Sequence, residues 1–240
     1  MIISNADSFL KNFQILKKSF KVRKSSNYIE LVTSSGQRLF HNKSDKFKGG
    51  LYLFQMVKRD IEKYLAKNGE VEPYDELPVN CWNEHYDYDK KTIGIDINNA
   101  YWSVAHLKGY ITKKTYEKGI ERDGLKTIRL STLSSLGKKR IYQCYTDGVY
   151  THDEEVNGDI VLEKVYLDIR YSTYGVMYEI AQELGDDFCC WKTDCIFFND
   201  TEKNKNFVRD AIESYGLQCK LEIKSIDALK IKSKTKKDEK

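Results

Sequence analysis

Apolar side chains recur along this chain with two different periods, and the switches between them mark out its elements. Phe9, Leu10, Phe13, Leu16 and Phe20 fall near helical spacing among lysines. Tyr28–Val32 and Gln37–Phe40, separated by Ser34-Ser35-Gly36, predict a hairpin. Residues 46–50 predict a loop, and a helix follows from about Leu51 to Lys67, stopped by Asn68-Gly69. Residues 70–90, with Pro73, Pro78 and many acids, predict a linker. Within it, the Glu, His and Asp of residues 83–89, His85 among them, have metal-ligand chemistry, but a polar loop shielding the next strand explains them without an ion.

Beyond residue 90 both periods recur. Ile93, Ile95 and Ile97 alternate with Thr92, Gly94 and Asp96, a strand with one greasy face and a carboxylate on the other. Trp102 to Lys108 predicts a short helix, and the Tyr- and Lys-rich stretch 110–122 follows it. Asp147-Gly148 predicts a hairpin turn within 144–163. Leu167, Tyr171, Tyr174, Tyr178, Ala181 and Leu184 mark one face of a helix from about Leu162 to Leu184, closed by Gly185, with its Tyr row as core. Next, Phe188, Cys190, Lys192 and Asp194 share one face of a predicted strand, and Cys189, Trp191, Thr193, Cys195 and Phe197 the other, so that Asp194 stands mid-strand. Phe207, Val208, Ala211, Ile212 and Tyr215 predict a helix before Gly216. The alternation Leu217, Cys219, Leu221, Ile223 predicts a strand, with Leu229–Lys232 pairing back on it. Strands and helices in this order predict an α+β fold, an antiparallel sheet backed by helices.

Composition narrows the class. With 40% hydrophobic and 32% charged residues and no long apolar run, the chain is expected to be soluble and intracellular, without a membrane partner. Met1 to Asp7 turns polar too early for a signal peptide. The six cysteines form no Cys-x-x-Cys pair and read as reduced core residues rather than a zinc site, Cys189 and Cys190 pointing to opposite faces of their strand. A net charge of +4 is modest, but Lys138, Lys139 and Arg140 cluster, as do Lys230, Lys232 and the lysines after them, and such clusters neutralise phosphates.

The chemistry lies in two carboxylates on predicted strands, Asp96 and Asp194. Two-metal phosphoryl transfer needs such a pair, because Mg²⁺ takes few protein ligands and leaves its other positions to water and phosphate oxygens. Asp96-x-x-Asn99-Ala100-Tyr101-Trp102 resembles the first palm motif of the family B DNA polymerases, Asp-x-x-Ser-Leu-Tyr-Pro, and Lys192-Thr193-Asp194-Cys195 resembles their third, Asp-Thr-Asp-Ser. Arg129 to Gly137 is similar to the second, Lys-x-x-x-Asn-Ser-x-Tyr-Gly, with Leu133 and Leu136 in place of the Asn and Tyr. Lys192 stands where the third motif has its first Asp.

The resemblance implies that Asp96, Ile97 and Asp194 form the metal set for two Mg²⁺ or Mn²⁺ ions, and that Tyr101 lies beneath the incoming sugar. Arg129, with Lys126 and Ser134 nearby, would contact the nucleotide; Lys138, Lys139, Arg140, Lys192, Lys230 and Lys232 would contact nucleic acid. The implied partners are a DNA primer–template, a deoxynucleoside triphosphate, and a second protein supplying thumb, exonuclease or processivity function. The chain is then expected to comprise an N-terminal α+β region and linker (1–90), a palm-like domain (91–232) and a basic tail (233–240). A non-catalytic palm relative that binds nucleic acid or a replication partner is the alternative. The pared-down architecture suggests a bacteriophage or mobile-element source, and so the host cytoplasm.

Overall fold

The computed structural model describes residues 10–12, 14, 18–24, 28–42, 50–73, 75–121 and 125–222. Lys230, Lys232, the tail 233–240 and the strand expected at Leu229–Lys232 lie outside the described residues. The fold is α+β, and the described residues form two antiparallel five-stranded sheets. It divides into two compact units, one of residues 1–70 and 112–166, the other of 71–111 and 167–240. The sequence predicts boundaries near residues 90 and 232, whereas the chain passes from one unit to the other after residues 70, 111 and 166. No helix among the described residues is long and apolar enough to cross a membrane.

In the first unit the strands β1 (Phe20–Lys24), β2 (Tyr28–Thr33), β3 (Arg38–Asn42), β6 (Arg140–Thr146) and β7 (Val149–Val156) are ordered β3-β2-β1-β6-β7. The expected hairpin of 28–40 forms, and so does the one turning at Asp147-Gly148, where both residues have positive φ (49° and 80°). Phe20 differs from expectation. It opens β1, pairing with Thr33 on one side and Tyr145 on the other, because a place at the centre of a sheet outweighs its apparent helical period. Leu10, Phe20, Val22, Ile29 and Leu31 form the core cluster of one face. Glu30, on the other face and buried, receives hydrogen bonds from Arg23 Nε at 3.0 Å and Tyr142 Oη at 3.2 Å, the compensation a buried charge requires. Helices α1 (Gly50–Asn68), α3 (Lys113–Ile120) and α4 (Lys126–Ser134) pack together in the same unit. A left-handed Gly69, φ 85°, closes α1 as the sequence predicts.

In the second unit β4 (Asn80–Trp82), β5 (Thr92–Ile97), β8 (Phe188–Lys192), β9 (Cys195–Asn199) and β10 (Cys219–Glu222) are ordered β10-β5-β9-β8-β4. Helix α2 (Ala100–Leu107) follows β5, and α6 (Glu202–Ser214) packs on β5 and β10. The long α5 (Ile160–Leu184) contributes to both units. Trp191, Phe197 and Phe198 are fully buried, and large side chains of this kind contribute about 1.5–3 kcal/mol each.

Three expectations change in this unit. Residues 70–90 hold β4, which pairs with Cys190–Lys192, while Trp191 Nε1 donates to the Pro78 carbonyl at 3.2 Å, so the stretch edges the sheet instead of only linking. Cys189 is the extra residue of a β-bulge and joins the same buried cluster as Cys190, so the two thiols do not face opposite ways. Residues 188–199 make two strands joined at Thr193–Asp194 rather than one, so Asp194 occupies a turn and not a mid-strand position.

Candidate functional site

Strand β5 carries Asp96 because Ile93, Ile95 and Ile97 are buried and fix its register. A Cβ on Gly94 would stand 2.6 Å from Cε1 of Phe197, its partner on β9, so glycine here lets the strands close beneath a large ring. Asp96 is flanked by Cys195 of β9 and Lys220 of β10. Ile97 N–H donates to the Asp194 carbonyl at 2.9 Å, so the turn bearing Asp194 sits against the end of the strand bearing Asp96.

The turn itself is two residues long, and Thr193 has φ 57°. A β-branched residue in the left-handed region is strained, and Thr193 N–H is anchored to the Val79 carbonyl at 2.8 Å. On the other side, Asn99 takes φ 51°, which an Asn tolerates well, and turns the chain from β5 into α2. Ser103 Oγ donates to the Asn98 carbonyl at 3.1 Å and ties down the same corner.

Lys220 is not among the residues that the sequence motifs pick out. Its Nζ lies 3.2 Å from Asp96 Oδ2, with the carboxylate 19% exposed and the lysine 57% exposed. Its signal was present in the alternation of residues 217–223, which puts Lys220 on the polar face, but only the pairing of β10 with β5 sets it opposite Asp96. Arg170 is not among them either. Its Nε donates to Tyr174 Oη at 3.1 Å, and Tyr174 shares a 2.8 Å hydroxyl hydrogen bond with Tyr101. Tyr101 is thus braced on α5, its ring edge-on to Tyr174.

The other predicted residues are distributed as follows. Lys192 ends β8 with its ammonium 4.8 Å from the centre of the Trp82 ring. Lys126, Arg129, Ser134, Lys138, Lys139 and Arg140 belong to the first unit. Lys126 and Arg129 lie on α4, but Arg129 is 7% exposed and donates from Nη1 to the Gly119 carbonyl at 2.6 Å. Leu133 and Leu136 are core residues. Ser134 is exposed and bonds to the Ser131 carbonyl at 3.3 Å. Lys138 is exposed, Lys139 pairs with Glu155, and Arg140 opens β6 opposite Val156.

No family model matches the chain, and neither any curated protein nor any solved structure does. Asp96 on β5 and Asp194 in the adjoining turn offer carboxylate oxygens, the donor type that a hard divalent cation takes. The lysine beside one of them is a cation of the kind that steadies phosphate charge.

Proposed function

We propose that this chain is a DNA polymerase-like nucleotidyltransferase that extends a primer 3′-hydroxyl from a deoxynucleoside triphosphate. The observation that carries the reading is the Ile97–Asp194 backbone hydrogen bond, which draws together the two positions whose carboxylates the chemistry needs. In this reading Asp96 and Asp194 hold Mg²⁺ or Mn²⁺, which supplies charge neutralisation and alignment of the attacking and leaving oxygens when bound. Tyr101, held by Tyr174, offers a rigid face for the sugar. Lys220 neutralises Asp96 in the free protein and turns to a phosphate oxygen when substrate enters, an exchange its exposed ammonium permits. The primer–template and a second protein supplying the remaining polymerase functions are the partners of this reading.

A second reading, a non-catalytic palm relative that binds nucleic acid, is favoured by Arg129 being committed to the Gly119 carbonyl and by Leu133 and Leu136 in the core. Primer extension with Mg²⁺ or Mn²⁺ separates the two. Extension by the wild type, lost in Asp96→Ala and in Asp194→Ala, is the expected result. Wild-type protein that binds DNA but never extends it under either metal would sink the catalytic reading and leave the second.

A further inference from the structure

The first unit contains a ligand set that the nucleotidyl-transfer reading does not use. Cys144 on β6 and His152 on β7 are direct cross-strand partners, and Glu154, two residues beyond His152, lies on the same face. One ligand atom from each of Cys144, His152 and Glu154 falls within 4.8 Å of the others. We propose that these three residues bind a zinc ion, with water in the fourth position, as a clip across the β6–β7 hairpin.

The spacing suits a tetrahedral ion. Zinc–sulfur and zinc–oxygen bonds of about 2.3 and 2.1 Å place such ligand atoms roughly 3.3–3.6 Å apart. Cys144 Sγ and Glu154 Oε2 are already 3.5 Å apart, joined by the thiol hydrogen that a divalent ion replaces on binding. A thiolate, an imidazole and a carboxylate make a mixed soft and hard set in which zinc is at home and magnesium is not.

The surroundings orient the imidazole. A β-bulge falls between Cys144 and Tyr145, so Thr151 has no partner of its own and its hydroxyl folds back to donate to the Cys144 carbonyl at 3.2 Å. That hydroxyl is also 3.0 Å from His152 Nδ1. Its one hydrogen is spent on the carbonyl, so it accepts here and Nδ1 carries the proton. The lone pair is then on Nε2, the arrangement in which a neighbouring oxygen fixes the tautomer of a ligating histidine. Thr151 is thus a positioning residue. Against binding stands Lys21, whose ammonium pairs with Glu154 Oε2 and competes for the same oxygen.

Titration of the full chain with Co²⁺ tests the site without reference to catalysis. A thiolate-to-cobalt charge-transfer band saturating at one equivalent, bleached by Zn²⁺ and absent in Cys144→Ser and His152→Ala, is expected. Thr151→Val is expected to weaken affinity about tenfold or more. Lys21→Gln is expected to tighten it about two- to fivefold, a change misfolding cannot imitate, since it removes a competing ion pair. A wild type with no band, or a band intact in Cys144→Ser, overturns the site; an unchanged affinity in Lys21→Gln removes Glu154 and overturns the three-ligand clip.

Discussion

Asp60 is a charged side chain only 8% exposed, and three donors hold it: Thr112 N–H at 3.0 Å, Thr112 Oγ1 at 2.8 Å and Thr115 Oγ1 at 2.5 Å. Burial pushes its carboxyl up, but the hydrogen bonds from Thr115 and Thr112, with Arg59 nearby, outweigh it and leave the group below its ordinary value. A carboxyl depressed on folding stabilises above its unfolded value of about 4, and that contribution disappears as pH falls through the folded value. Asp60→Asn is therefore expected to cost about 1–3 kcal/mol at neutral pH, with the gap to wild type narrowing below about pH 4. Urea midpoints at the two ends of that range check it; a gap that stays constant would mean that charge plays no part. Lys220 and Asp96 are a different case, since an ion pair this exposed is worth only about 0–1 kcal/mol and Lys220 is free to serve another anion.

At the scale of elements, turn chemistry decided what was readable. Asp147-Gly148 announces its hairpin because both residues accept positive φ, whereas Lys192-Thr193-Asp194-Cys195 has no glycine and reads as continuous strand. The turn there is imposed by pairing on both sides, which holds Thr193 at φ 57° against its preference. Gly137 shows the reverse, a residue matched to a motif whose structural reason is packing. A Cβ at Gly137 would lie 2.0 Å from Glu163 Cβ and 2.4 Å from its Cα, where α5 crosses. Because backbone is involved, Gly137→Ala is expected to destabilise by at least about 1–3 kcal/mol, as in other overpacked contacts. Thermal unfolding measures this, and an unchanged midpoint would show that the chain after α4 yields easily.

At the scale of the whole molecule, charge is the property that follows from sequence alone. Lys138 is exposed, and a lysine that meets a phosphate neutralises one charge without reading sequence. If DNA binds as proposed, log Kd against log salt is expected to be linear, and Lys138→Ala to lower the slope by about 1 with no change of sequence preference. A salt-independent affinity would point to a protein partner instead.

Local elements with strong periods or stops are legible in the sequence: α1 with Gly69, the hairpins at Gly36 and Gly148, β5 with its isoleucines, and α5. These are set by neighbours a few residues apart, so a linear reading finds them. Asp96 and Asp194 stand out in the sequence as polar residues inside apolar stretches, where a charge is costly unless partnered, but in the fold Asp96 lies on β5 and Asp194 in a turn. Strand pairing in the folded chain sets Phe20 beside Tyr145, puts residues 80–82 at a sheet edge, brings Lys220 to Asp96, and draws Cys144, His152 and Glu154 together. Those are pairings of distant strands or the effect of a bulge, and they depend on register, which shifts every side chain to the other face when it moves by one residue.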